Sequence, residues 1–319
     1  MGERVRVVVN PIAGAGLSLW VLPLLVRRLA RLGLTSEVVR THSAEDSRQA
    51  AADLDGPYHA LVVMGGDGTV REVITGLKRD DVPLAIIPMG TANVLARELR
   101  LPLQPERAAQ VIARRNVRRM DLGYANGRPF LLLAGVGFDA EITRRVHASR
   151  RGAITLLNYL PALVAEIVHF HAPALQVTVD GRPVGRRVNY AVISNTRLYG
   201  GPFVMALDAV PDDGLLDVCL YQVPRRHQVL GLLVRFFFHR RPDPRRATFV
   251  RGRQVEVVSD EPVLYQLDGD PVGMLPLKVD LAPRAVPVIV PETWGWDRLW
   301  QSVKSRLEEP LSEARRLWG

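Results

Sequence analysis

The chain has 319 residues, 47% apolar and 24% charged, an ordinary globular composition that excludes a disordered or fibrous protein. At a typical ~150 residues per domain, this length predicts two domains. A single cysteine, Cys219, excludes an intrachain disulfide framework and a cysteine-based zinc cluster, and 42 basic against 33 acidic side chains leave a net charge of +9. The first predicted elements alternate. Val5 to Asn10 reads as a buried strand and Leu17 to Leu32 as a helix. Val38 to Thr41 reads as a second strand, and Ser43 caps the next helix with Asp46 at the capping-box position. His59 to Met64 and Leu84 to Pro88 complete a set of four strands separated by helical patterns. Such alternation implies an α/β domain with a doubly wound parallel sheet, which binds ligands at the carboxyl ends of its strands.

From about Tyr124 the pattern becomes antiparallel β. Asn126-Gly127-Arg128-Pro129, Asp180-Gly181-Arg182-Pro183 and Asp268-Gly269-Asp270-Pro271 share one hairpin form, since Asn-Gly and Asp-Gly suit turns with positive φ at both central positions. The expectation is a β-sandwich or barrel interrupted by helices near 152–170 and 225–239, then a helical tail after Pro291. The predicted boundaries are 1–123 for the nucleotide-binding domain and 124–283 for the β-rich domain, with 284–319 packing back onto the first and an active site in the cleft between.

Three strand ends carry the chemistry. The first runs into Asn10-Pro11-Ile12-Ala13-Gly14-Ala15-Gly16, an anion cradle when followed by a helix N-terminus. It lacks the Gly-Lys-Ser/Thr of a Walker A loop, and Leu19 stands where a Rossmann fingerprint has its third glycine. The third strand ends in Gly65-Gly66-Asp67-Gly68-Thr69, where glycines admit a phosphate closely and Asp67 reads either as a metal or sugar contact or as a helix cap. The fourth ends in Pro88-Met89-Gly90-Thr91-Ala92-Asn93. Together, at one sheet edge, they read as a nucleotide phosphate site.

With these motifs the sequence resembles the lipid kinases with a diacylglycerol kinase catalytic domain, including bacterial diacylglycerol kinases and sphingosine kinases, distant relatives of NAD kinases. The resemblance spans about residues 4–290 and rests on NPIAG, GGDGT, MGTANVLA, DLG at Asp121, NYAVISN at Asn189, DDGLLDV at Asp212 and LDGD at Leu267. It implies an ATP-dependent kinase that phosphorylates a lipid hydroxyl, most simply a diacylglycerol-like one. It also implies ATP contacts at Asn10, Pro11, Gly14, Thr41, Gly65, Gly66, Asp67, Gly68, Thr69, Thr91 and Asn93. By the same resemblance Asp67 and Asp121 organise a catalytic Mg²⁺, partly through water. Asp213, with the carbonyls of Val210 and Leu215, matches a structural Mg²⁺ site, and Asp270 acts as general base on the lipid hydroxyl. The other two hairpins carry Arg128 and Arg182 at the position of Asp270, so the turn itself does not demand an acid. Alternatives are an NAD kinase-like enzyme acting on a soluble substrate and a non-catalytic lipid-binding or regulatory homologue.

Two positions depart from the family pattern. Val94 stands where many bacterial members have the aspartate of GTxND, and Arg71 replaces a common asparagine, with either Glu72 or a phosphate as its partner. The charge is local: Arg225–Arg246 carries +6 and Arg144–Arg151 carries +4, leaving the other residues near neutral. Within the first patch, Val229–Phe238 is strongly apolar, which fits peripheral contact with an anionic membrane; no recognition motif for nucleic acid accompanies it. Trp294, Trp296 and Trp300 beside Arg298 suit either the membrane or the first domain. His169, His171 and His239 have no metal spacing. Met1 to Val9 lacks a signal core, and the longest apolar run, Phe130–Phe138, is too short to span a bilayer, so a soluble, cytoplasmic protein is expected.

Overall fold

The computed structural model describes residues 3–148, 156–169, 171–200 and 203–292. The expected tail helix with its tryptophans, and residues 149–151 of the second basic patch, lie outside the described residues. In the first half, strands β1 (Glu3–Val9), β2 (Leu34–Arg40), β3 (Ala60–Gly65) and β4 (Leu84–Pro88) are parallel and ordered β2-β1-β3-β4. The second strand starts earlier than its apolar residues suggest, because Leu34–Glu37 pairs with Glu3–Arg6. Helices α1 (Leu17–Arg31) and α5 (Pro105–Arg114) bury Leu22, Leu25, Leu29 and Ile112 on one sheet face. Helices α2 (Ala44–Ala52), α3 (Asp67–Gly76) and α4 (Val94–Glu98) bury Ala50, Val70, Val73 and Leu95 on the other. The predicted Ser43–Asp46 capping box is present at the start of α2.

The second half contains strands β5 (Val117–Ala125), β6 (Arg128–Phe130) and β7 (Leu133–Val136), then helices α6 (Phe138–Ala148) and α7 (Leu156–Val168). Strands β8 (Leu175–Val179), β9 (Arg182–Val188), β10 (Tyr190–Ser194), β11 (Leu198–Tyr199), β12 (Phe203–Val204) and β13 (Leu216–Tyr221) lead to helix α8 (Arg226–Phe237). Then come β14 (Ala247–Gly252), β15 (Gln254–Val258), β16 (Leu264–Leu267), β17 (Asp270–Met274) and the long β18 (Leu277–Ile289). Six antiparallel strands, β14-β13-β10-β7-β16-β17, form one layer of the sandwich. Its inner residues, among them Ala134, Ile193 and Val218, pack on Val177, Val255 and Val279 of the opposite layer. All three predicted hairpins have positive φ at both central positions: 47° and 79° at Asn126-Gly127, 47° and 75° at Asp180-Gly181, 53° and 92° at Asp268-Gly269.

The opposite layer is not a separate sheet. Strand β18 meets β4 in parallel at Val288↔Leu84, and pairs antiparallel with β5 and β15. One ten-stranded sheet therefore runs from the parallel strands into the sandwich, passing through position 124 without a break. This continuity joins the strands β1, β3 and β4 to the layer on which the six-stranded sheet, with its β16–β17 hairpin, packs.

Candidate active site

The carboxyl ends of β1, β3 and β4 bring Asn10, Gly65 and Pro88 to one edge, as their glycine-rich sequences suggest. Gly14, at φ 62°, sits so close to β4 that a Cβ would approach the Met89 carbonyl oxygen to 2.8 Å. Gly66 and Gly90 face each other through bare Cα atoms, and a Cβ on Gly90 would come within 2.6 Å of the Gly66 Cα. The two turns can nest only because both lack side chains. Gly68 faces open space, leaving the lip of the cradle and the N-terminus of α3 accessible.

Side chains lock these turns. Asn10 Nδ2 donates to Thr69 Oγ1 at 3.2 Å, joining the first cradle to the second. Thr41 is buried and donates to the Val9 carbonyl at 3.2 Å, which bonds the start of the α2 approach to the end of β1. Asn93 closes the third turn: its Oδ1 accepts from Gly90 N at 2.7 Å and its Nδ2 donates to Gly90 O at 2.6 Å. Its amide is thus committed to the turn. Pro11 is half-buried, and Thr91 is exposed at the rim.

Asp67 opens α3, yet its carboxylate serves another helix, accepting from Val94 N at 2.9 Å and Leu95 N at 3.0 Å. Burial pushes this carboxyl up, opposed by the two amides. The departure at Val94 is thereby explained. Its side chain lies in the core at 3% exposure, and its N–H is the group it offers to the site.

Arg71 lies one turn after Asp67 on α3 and reaches across to the sandwich. Its Nη2 donates to Asp270 Oδ2 at 2.6 Å and its Nη1 to Leu267 O at 3.2 Å, while Glu72 is more distant at 3.6 Å. Burial works against the Arg71 charge, and the carboxylates of Asp270, Asp268 and Glu72 more than offset it, so its pKa is raised. His147, near the end of α6, flanks the other oxygen of Asp270 at 3.2 Å. The helix that begins at GGDGT therefore also grips the hairpin that carries Asp270.

Two acids carry contacts that the sequence does not predict: Asp268, which reads there only as a turn residue, and Asp139. Asp268 accepts from the amides of Leu131, Leu132 and Leu133 at 2.9, 2.8 and 3.2 Å. Burial raises it to about 6 despite these donors and the nearby Arg71. Asp139, buried at the start of α6, accepts from Gln266 Nε2 at 2.8 Å and is pushed by burial to about 7. Gln266 in turn accepts from Gly269 N at 2.7 Å, so this chain ends on the same hairpin. The only sequence cue was the spacing of Asp268 and Gln266 around LDGD, which a turn already explained.

Asp121 belongs to a different cluster from Asp67. It is fully buried, and its two oxygens accept from Gly214 N and Arg284 N, each at 2.7 Å. It thus clamps the Asp212-Asp213-Gly214 turn, where burial raises both Asp212 and Asp213 and the neighbouring Asp121 charge adds to the rise. Asp213 Oδ1 accepts from Leu215 N at 3.0 Å, and half-buried Val210 lies just before the turn. Among the described residues, no three His, Cys, Asp or Glu side chains are grouped to hold a metal ion. Asp213 with neighbouring carbonyls is an oxygen-only donor set of the kind that suits a hard cation.

A model of the diacylglycerol kinase catalytic domain matches residues 4–125, and a model of the YegS C-terminal NAD kinase beta sandwich-like domain matches residues 133–290. The chain is 30% identical over 297 residues to a diacylglycerol kinase of Mycobacterium tuberculosis, covering 90% of this chain and 95% of that one. It is 33% identical over 258 residues to a Pseudomonas aeruginosa protein named "Probable lipid kinase YegS-like", covering 77% and 82%. A crystal structure of a diacylglycerol kinase from Bacillus anthracis shares the fold, with a TM-score of 0.70 at 21% identity over 91% of this chain and 98% of that one. The fold and these matches define a phosphotransferase acting on an alcohol group. The chain belongs to the diacylglycerol kinase and YegS-like family of lipid kinases.

Proposed function

We propose that the protein transfers the γ-phosphate of ATP to the hydroxyl of a diacylglycerol-like lipid at a membrane surface, with Asp270 as general base. The observation that carries this reading is the Arg71–Asp270 contact of 2.6 Å, which ties the helix of the glycine cradle to an acid on the facing hairpin. The cradle formed by Asn10, Pro11, Gly14, Gly65, Gly66, Gly68 and Thr69, with Thr91 at its rim, offers backbone amides to the phosphates of the nucleotide. Thr41 and Asn93 act on this site through the turns they close. In the transfer, the lipid hydroxyl gives its proton to an Asp270 oxygen as its own oxygen bonds to the γ-phosphorus. The bond to the bridging oxygen breaks, and ADP leaves with the electron pair.

Asp67 would hold a catalytic Mg²⁺ through its free lone pairs and water, and Asp213, with the carbonyls of Val210 and Leu215, a structural one. The catalytic ion would neutralise charge on the phosphates. Asp121 supports the second site by fixing Gly214. A second base assignment, to Asp268, is favoured by its rise to about 6, nearer the working pH than an ordinary carboxyl. Against it, three amides already occupy its oxygens.

The test is labelled ATP offered with dispersed diacylglycerol and, in parallel, with NAD. Label in the lipid supports the proposal, and label in NAD alone contradicts it.

A further inference from the structure

Helix α8 has two apolar faces. One buries Val229, Leu232 and Phe236 against Tyr221 and the rest of the outer core of the sandwich. The other leaves Leu230, Val234 and Phe237 exposed at 52%, 48% and 52%, followed by Phe238 at 64%. The spacing of four and then three residues sets the first three of these on one helical stripe. Four large exposed apolar side chains in one short helix and the residue that caps it exceed what scattered surface residues explain.

The rim is cationic. Residues 225–246 contain seven arginines and one acid, Asp243. Arg241 pairs with Asp208 at 3.0 Å, whereas exposed Arg225, Arg226, Arg240, Arg245 and Arg246 have no ion-pair partner among the described residues. The position of the helix also matters. It packs beside α7, which packs on α6, and α6 carries the His147 that flanks Asp270. No helix among the described residues is long and apolar enough to cross a membrane.

We infer that the exposed stripe of α8 lies in the headgroup boundary of an anionic bilayer, with Arg225, Arg226, Arg240, Arg245 and Arg246 holding lipid phosphates around it. This deepens the proposed lipid-kinase reading by naming the face through which the enzyme meets its substrate, and it rests on that reading. Charge complementarity selects this occupant. A second copy docked on the same face would set one +6 segment against another. A nucleic acid could stack on Phe237 and Phe238 but would leave the aliphatic Leu230 and Val234 of the same stripe uncovered, whereas acyl chains cover all four.

The test is sedimentation of the full chain with phosphatidylcholine vesicles, with and without phosphatidylglycerol, in the absence of ATP. Wild-type protein should bind the anionic vesicles, and added salt should weaken binding. Replacing Arg240, Arg245 and Arg246 by Gln should weaken it by about fivefold per arginine. The exposed pair Val234→Gln/Phe238→Gln should also lower binding while leaving the thermal unfolding midpoint unchanged.

Equal binding to both vesicle types, or variants that bind like wild type, would overturn the inference. So would a concentration-dependent dimer, or binding to a DNA duplex, that these same substitutions abolish. Phosphorylation of a short-chain diacylglycerol in detergent separates the two layers. Activity retained there with vesicle binding lost through these variants supports the docking face, whereas absence of activity in wild type counts against the kinase reading alone.

Discussion

At the scale of single residues, Asp270 is a carboxylate held between the Arg71 guanidinium at 2.6 Å and the His147 imidazole at 3.2 Å. In the proposed mechanism Arg71 acts through Asp270, as a positioning residue. Arg71→Ala should lower kcat by about 100-fold, the order of loss expected from a misplacement of ~1 Å, with KM for ATP nearly unchanged. Arg71→Lys should recover part of this, because an ammonium keeps the charge but cannot serve both Asp270 and the Leu267 carbonyl as the fork does. Equal shifts in kcat and KM would instead make Arg71 a nucleotide contact.

Asp139 offers a test that does not involve turnover. Its carboxyl lies against Gly135, where a Cβ would approach Oδ2 to 2.0 Å, and its Oδ1 has no hydrogen-bond partner among the described residues. Its pKa in the folded chain is about 7 against an ordinary 3.8, so between those values the folded state holds a proton that the unfolded state has lost. Stability therefore falls as pH rises through this window, and the cost is fully present above it. Asp139→Asn stays neutral throughout. It should unfold like wild type near pH ~4 and be more stable near pH ~8, by at most ~4 kcal/mol. Urea titrations at the two pH values measure this, and a gain that does not grow with pH would contradict the assignment.

At the scale of elements, the short helix α4 is the joint of the site. Asp67 holds its first amides, and Glu98 at its last turn is completely buried. Glu98 Oε1 accepts from Arg197 at 2.8 Å and Oε2 from Leu198 N at 3.0 Å, so α4 is tied to α3 at one end and to β11 at the other. Glu98→Ala removes the buried acceptor that Arg197 and Leu198 N share and should cost about 3–5 kcal/mol in urea unfolding. Glu98→Gln, which keeps an acceptor, should cost less. The hairpins and the Ser43 capping box were legible in the sequence because turn and cap chemistry is local: Asp-Gly needs only its own φ values, and Ser43 needs only Asp46. The glycine cradles were legible for the same reason. What local chemistry could not reveal was where Arg71 points, since its partner lies 199 residues away. The commitment of Asp268 to residues 131–133 was hidden in the same way, because an Asp-Gly turn had already explained that aspartate.

At the scale of the whole molecule, β18 turns two sequence textures into one framework. It returns after the sandwich to reach β4, so the ten-stranded sheet carries the glycine cradle at one end and at the other forms the layer that faces the six-stranded sheet of the Asp270 hairpin. No periodicity announces this, because β18 meets its partners over long separations and changes register with β5 between Ala282 and Val286. The net charge of +9 becomes intelligible at this scale too. The glycine cradle is built from backbone, Asn, Thr and Asp, and the excess arginine is concentrated in residues 144–151 and 225–246, the second segment enclosing a helix that leaves an apolar stripe uncovered. The account as a whole rests on Asp270 receiving a proton from a lipid hydroxyl. The most direct test is the rate of γ-phosphate transfer from ATP to dispersed diacylglycerol by wild type and by Asp270→Ala at equal folded concentration. The account predicts labelled lipid with wild type and a loss of at least about 100-fold in the variant; near-normal transfer by Asp270→Ala would contradict it.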